Sequence, residues 1–417
     1  MSGSKLPKGI IIGCHWPEPD ATAAGRRMMQ LIHALTEQYQ ILFACSQPEG
    51  ASSEWLNSIG VETAQIKLND SSFDDWIASQ QSHWVMFDRY LTEEQFAWRV
   101  EKACPKAMRI IDTEDLHGLR KARETAHIQN RVFHFSDLHN DVMHRELAAI
   151  YRSDVSLIIS RFEMELLINE LGVPEGLLFY LPFMEDASRP KELPTSHQRA
   201  HCMTIGNFKH APNRDAAKYL AHVLWPMIRE ALPEAEFHLY GAYPDAEITQ
   251  LHNPALGFLV KGKAEDVLET MKQYRLCLAP LRFGAGLKGK LVDAMRSGTP
   301  SVTTTIGAEG MCSSTEDWSG AIVDEPAQFV EKVVRLYRDE ALWLQSQERG
   351  FTLLQSLFDG AYWKVALQKE WSNRLQNLEE SRLRNFTGAI LRDQYHRSTI
   401  YMSRWIEEKN RNRSGAD

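Results

Sequence analysis

The sequence predicts an α/β protein of two doubly wound parallel-sheet domains. Three observations carry this. Short β-rich apolar runs alternate with helical stretches, the pattern of strands joined by crossover helices. The alternation stops at a polar stretch and begins again after it. The 417 residues exceed the ~100–200 of one average domain.

In the first half, strands are predicted near Gly9–Gly13, Gln40–Ala44, Trp84–Phe87, Met108–Ile111, Val155–Ser160 and Leu177–Leu181. Between the first two, Met28, Met29, Leu31, Ile32 and Leu35 recur at helical spacing, so Ala24–Leu35 reads as a helix. Asp186–Ala200 is polar, carries two prolines and has no period, which marks a linker. Beyond it, strands are predicted near Cys202–Gly206, Glu236–Gly241, Gly257–Val260, Arg275–Pro280, Pro300–Thr304 and Ala321–Val323. The domains expected are 1–185 and 201–360, with 361–417 as a crossover helix and a basic tail. Two such domains face each other across a cleft, and ligands of open parallel sheets sit beyond the carboxyl ends of the strands.

Composition narrows the function. With 47 Lys+Arg against 55 Asp+Glu the net charge is -8, which argues against nucleic acid as a partner. The six cysteines are scattered without a CxxC pair and read as reduced thiols of a cytoplasmic protein. No apolar run is long enough to span a membrane, and the amino-terminal apolar run is too short for a signal peptide. From Ser381 onward the chain has eight basic and four acidic residues, net +4, leaving -12 for the rest. Phe386, Ile390, Leu391, Tyr395, Met402, Trp405 and Ile406 make this tail a basic amphipathic helix. Packing on the body of the protein competes there with a membrane or partner contact through 381–413.

The densest chemistry lies in Ala279–Met311. A strand ending at Pro280 runs into Gly284-Ala285-Gly286, with Arg282, Lys288 and Lys290 around it and Asp293 in the helix that follows. Glycines at a strand-to-helix turn let backbone N–H groups approach a phosphate, and the helix N-terminus favours an anion. The cations would neutralise a diphosphate, and Asp293 could accept hydrogen bonds from ribose hydroxyls. The first strand is not followed by a GxGxxG, which disfavours a nicotinamide dehydrogenase.

Arg282 through Pro300, followed by Ala308-Glu309-Gly310-Met311, resembles the donor-site signature of the group 1 (family 4-like) glycosyltransferases of GT-B fold. Thr204–Phe208 with His210–Asn213, Asp112–Arg120 and Ser160-Arg-Phe-Glu163 resemble further segments of that family. The resemblance implies a GT-B enzyme moving a sugar from a nucleotide-diphosphate donor to a hydroxyl acceptor, with retention, in surface glycan or glycoconjugate synthesis. It implies no cofactor beyond the nucleotide sugar and no metal. Donor binding then falls to Arg282, Gly284, Ala285, Gly286, Lys288, Lys290 and Asp293, with Asn207 and Lys209 after the first donor-domain strand. His117 and Asp115 become the catalytic candidates, and Gly25 and Arg26 a phosphate or acceptor loop.

The chain departs from the family pattern in three places. Ala285 stands where many members carry the first of two glutamates, Asp293 replaces the second, and Asn207, Lys209 and Asn213 stand where others hold the diphosphate with Arg and Lys. A non-catalytic nucleotide-binding scaffold and a sugar-nucleotide epimerase are therefore the alternatives. His117, His127, His134, His139 and His144 suggest no metal site, because five-residue steps do not share a helix face and no HExxH occurs. The 11 tryptophans read mainly as packing residues.

Overall fold

The structure, a computed structural model, describes residues 6–414. Seven strands form the first sheet: β1 (Lys8–Gly13), β2 (Gln40–Cys45), β3 (Glu62–Gln65), β4 (Trp84–Asp88), β5 (Met108–Asp112), β6 (Val155–Ile158) and β7 (Leu178–Tyr180). Their order is β3-β2-β1-β4-β5-β6-β7, and every pair is parallel. The second sheet holds β8 (Ala200–Asn207), β9 (Phe237–Ala242), β10 (Phe258–Gly262), β11 (Tyr274–Ala279), β12 (Ser301–Thr303) and β13 (Gly320–Ile322). It is also wholly parallel, in the order β10-β9-β8-β11-β12-β13. The predicted two-sheet α/β class is the observed one.

Parallel strands are covered by helices on both faces, so they read as unbroken apolar runs. β1 shows this directly: Ile11 enters one core cluster while Ile10 and Ile12 enter the cluster on the opposite face. β3 escaped sequence reading for the converse reason. It is a polar edge strand, Glu-Thr-Ala-Gln, paired only with β2.

The helix Ala23–Leu35 follows β1, capped by Thr22, whose Oγ1 accepts the Gly25 N–H at 2.9 Å. On it, Arg27 is buried and forks onto Asp112 at the end of β5, with contacts of 2.8–3.0 Å. The same guanidinium donates to the Leu181 carbonyl at 2.8 Å. One side chain thus ties the first helix to the carboxyl ends of two strands.

After the second sheet the chain returns. Asp359 caps the helix Gly360–Gln376, in which Leu367 and Trp371 are buried in the first domain's core. Trp371 meets Trp84 edge-on at 5.2 Å. This is the crossover helix expected at the start of 361–417. The helices Leu378–Arg384 and Phe386–Ser414 then run along the first domain. Arg382 pairs with Asp154 at 2.7 Å, Arg392 with Glu101 at 3.3 Å, and Arg99 reaches Ser403 at 2.9 Å and also Glu407. The side chains of Tyr395, Arg397 and Arg413 lie outside the described residues, as do residues 1–5.

His134, His139 and His144 do not lie on one helix. His139 precedes the helix Asp141–Arg152 that carries His144, and their rings sit 6.0 Å apart. Among the described residues no His, Cys, Asp and Glu cluster is arranged to hold a metal ion.

Removing Arg27 would leave the Asp112 carboxylate buried without its counter-charge. Arg27→Met is expected to lower unfolding stability by ~3–5 kcal/mol in urea titrations, with much of the loss recovered in Arg27→Met/Asp112→Asn.

Candidate active site

The carboxyl edges of the two sheets face each other across a cleft of about 760 Å³. Each sheet reverses its strand order there, between β1 and β4 and between β8 and β11. A crevice at such switch points is where doubly wound sheets bind ligands.

On the second domain's side, β11 leads into the Gly284–Gly286 turn. Gly284 has φ 151° and Gly286 φ 64°, values that side-chain-bearing residues rarely adopt. A Cβ on Gly286 would also lie 2.7 Å from that of Asp115 in the other domain. The helix Gly289–Arg296 follows, with no side-chain cap on its N-terminus. Gly289 and Lys290 both line the cleft there, so its first turn opens onto the space a ligand would fill.

Lys290 is half-buried and donates to the Asn213 Oδ1 at 2.8 Å, a neutral partner. Burial without a nearby carboxylate pushes its ammonium down to about 8. Lys288 bonds the carbonyls of Ala285 (3.1 Å) and Gly286 (2.7 Å), and burial lowers it also, against the pull of Glu309 and Glu163. Two desolvated ammonium groups beside an uncapped helix N-terminus are chemically suited to an anion. Asn207 and Lys209 complete this wall. Lys209 N–H donates to Asn207 Oδ1 at 2.8 Å, and its Nζ lies 3.7 Å over the Tyr243 ring.

Three sequence expectations change here. Arg282 does not line the cleft: its guanidinium forks onto Asp215 (2.9 Å from Nε) and lies over the Tyr219 ring. The side chain preceding the turn is turned outward, and the half-buried Lys288 and Lys290 line the cleft instead. Asp293 does line the cleft, but Arg26 from the other domain already holds its carboxylate. Ala285 lines the cleft without a carboxylate, and it also has a packing role. Its methyl is buried in an apolar cluster with Leu116, Leu119 and Ile158 of the first domain.

On the first domain's side, Gly25 and Arg26 line the cleft. Gly25 serves the backbone, since a Cβ there would lie 2.5 Å from the Glu18 main chain. Arg26 also approaches Glu185 at 3.4 Å and lies over Phe183. Asp115 and His117 stand beyond β5. The His117 Nδ1 is 3.1 Å from both the Asp115 carbonyl and Glu146 Oε1. Burial alone would lower the imidazole, but Asp115 and Glu146 outweigh it and raise the pKa. The Asp115 carboxyl is held well below the usual range, against its own burial, by Arg120 and His117. Opposite, burial and Arg120 push His210 down to about 4, so that imidazole is neutral.

Sequence reading singled out neither Arg89 nor Glu114. Both line the cleft with left-handed backbones, φ 71° and 64°, just beyond the paired strands β4 and β5. Strained non-glycine residues concentrate at functional sites. Burial, then Asp112, pushes Glu114 up to about 8. The signal for Glu114 was its place in Asp112–Arg120; Arg89 had none.

Residues 199–339 match the family model for group 1 glycosyl transferases. HepE from Anabaena, solved with UDP, superposes with TM-score 0.67 at 11% identity, over 88% of this chain and 100% of that one. The chain has the GT-B fold, and its second domain matches the group 1 glycosyl transferase model. Sucrose-phosphate synthase from Thermosynechococcus elongatus gives TM-score 0.66 at 14% identity, covering 88% of this chain and 98% of its own. WaaG, a glycosyltransferase involved in lipopolysaccharide biosynthesis, gives 0.59 at 14%, covering 86% and 98%. No curated protein matches the sequence. The cleft of this GT-B protein is the space between its two domains.

The geometry separates two cations. Lys290→Met is expected to weaken nucleoside-diphosphate binding at least tenfold, about 1.4 kcal/mol, and Arg282→Ala by less than about threefold, both by calorimetry. A bound diphosphate favours the charged ammonium, so wild-type affinity should hold below pH 8 and fall as pH rises through it. Lys290→Met should flatten most of that dependence.

Proposed function

We propose that this protein transfers a glycosyl group, with retention, from a nucleoside-diphosphate sugar to a hydroxyl acceptor. The observation that carries the reading is the cationic wall: half-buried Lys290 hydrogen-bonded to a neutral amide, beside the Gly284–Gly286 turn and an uncapped helix N-terminus. HepE was also solved with UDP-glucose, so a uridine nucleotide is the first donor to try.

As the glycosidic bond lengthens, negative charge grows on the leaving phosphate and positive charge on the anomeric carbon. Lys288, Lys290 and the first-turn amides are already fixed in a desolvated site, and they stabilise that phosphate without reorganising. Asp293 becomes available to a ribose diol when Arg26 gives up its carboxylate, so donor binding exchanges one partner of Asp293 for another. His117, held through Nδ1, presents the rest of its ring to the cleft and serves the sugar or the acceptor hydroxyl. Ala285 leaves the donor sugar without the carboxylate many relatives place there.

The tail supports a membrane-proximal acceptor. Phe386, Ile390, Tyr401 and Trp405 are exposed on one face of the last helix, opposite Gly388 and Ser403, which pack inward. Arg404, Lys409 and Arg411 accompany them. Among the described residues no helix is long and apolar enough to cross a membrane. This face suits an anionic lipid surface. Sedimentation with phosphatidylcholine vesicles should carry the protein down only when phosphatidylglycerol is included, and Tyr401→Glu/Trp405→Glu should leave it in solution. Equal behaviour of wild type and variant would rule the face out.

The reaction itself is tested by titrating UDP, GDP and ADP calorimetrically, then following nucleotide release from the matching nucleotide sugar. One nucleotide should bind, with release accelerated by an acceptor and a product of unchanged anomeric configuration. Silence from all three sinks the reading. Binding without turnover is the scaffold's signature, and release of free sugar without acceptor the epimerase's.

A further inference from the structure

We infer that Arg123 and Glu163 of the first domain are positioning residues that hold the backbone of the Gly284–Gly286 turn from across the cleft. This rests on the donor-site reading given above. Arg123, in the helix His117–Ile128, is buried. Its Nη1 donates to the Gly284 carbonyl at 2.9 Å and, with Nη2, forks onto the Glu309 carboxylate at 2.8 and 2.7 Å. The Phe162 ring, 5.2 Å away, supports the guanidinium plane.

Glu163 is fully buried and does not line the cleft. Its Oε1 accepts the Gly286 N–H at 2.8 Å and the Leu116 N–H at 3.0 Å. One carboxylate oxygen therefore joins the donor turn to the loop carrying Asp115 and His117. Between these two bonds, Ala285 is packed among Leu116, Leu119 and Ile158. All three residues of the turn are thus gripped by the opposite domain: one through its carbonyl, one through its methyl, one through its amide.

Gly284 and Gly286 occupy backbone regions that glycine enters but does not prefer to a single point. Left to itself the turn would sample others. The two side chains remove that freedom when the domains meet, so the cradle takes its binding shape as a consequence of closure. It also reaches that shape in register with the His117 loop, through the shared Glu163 oxygen.

Two measurements on the full chain test this. Hydrogen–deuterium exchange of the peptide covering Gly284–Gly289, without nucleotide, should speed up in Glu163→Leu and in Arg123→Met. UDP affinity by calorimetry should fall at least ~tenfold in both. Glu163→Gln keeps an oxygen for both N–H groups and should stay within about threefold of wild type, which a merely space-filling role would not require. Should the larger changes prevent folding, Arg123→Lys serves: it keeps the charge, loses the fork, and should weaken UDP at least ~threefold. Unchanged exchange and unchanged affinity overturn the inference. If wild type binds no nucleotide, the donor reading falls, and exchange alone then decides whether the two side chains hold the turn.

Discussion

The buried ion pair between Arg27 and Asp112 is the constraint on which the cleft depends. It joins the first helix to the end of β5, and the same guanidinium reaches the main chain beyond β7. Taking two charges out of water is costly, and it is tolerated where geometry is fully satisfied, as in this fork. With β5 fixed, the loop from Thr113 to His117 starts from a defined point. The neighbouring residue, Arg26, points the other way and reaches Asp293 in the second domain. Consecutive arginines on one helix thus hold the inside of one domain and the surface of the other.

Several charges in and behind the cleft are paired off. Asp115 has Arg120, Asp293 has Arg26, Glu309 has Arg123, and the His117 ring is held by Glu146. Against that background Lys288 and Lys290 differ, since their hydrogen-bond partners are backbone carbonyls and a neutral amide. A half-buried ammonium held this way loses hydration without regaining it from a carboxylate, and an incoming phosphate supplies what is missing. Arg282 shows the reverse. A cation already satisfied by Asp215 and spread over an aromatic ring has little to gain from a ligand elsewhere.

Much of the organisation was legible because parallel sheets covered on both faces write themselves as apolar runs, as Ile10–Ile12 do, and because a Gly-x-Gly between a strand and a helix has few other uses. The strand Glu62–Gln65 was not legible, since an edge strand has little apolar surface to bury. Gly25 drew notice as a loop glycine, but its reason is steric and lies in the Glu18 backbone. Ala285 read as a missing carboxylate, and the fold shows a methyl packed in an interdomain contact.

The sequence by itself determined the two parallel sheets, the linker between them, the glycine turn with its cations and the helical return to the first domain. These follow from local periodicity, backbone freedom and composition, which neighbouring residues settle among themselves. Only the tertiary structure decided which cations face the cleft, that Arg26 holds Asp293, and that Arg123 and Glu163 grip the turn. Those pairings join residues 123–267 positions apart. Direction and burial of a side chain are set by what the other domain brings against it, and no window of sequence contains that partner.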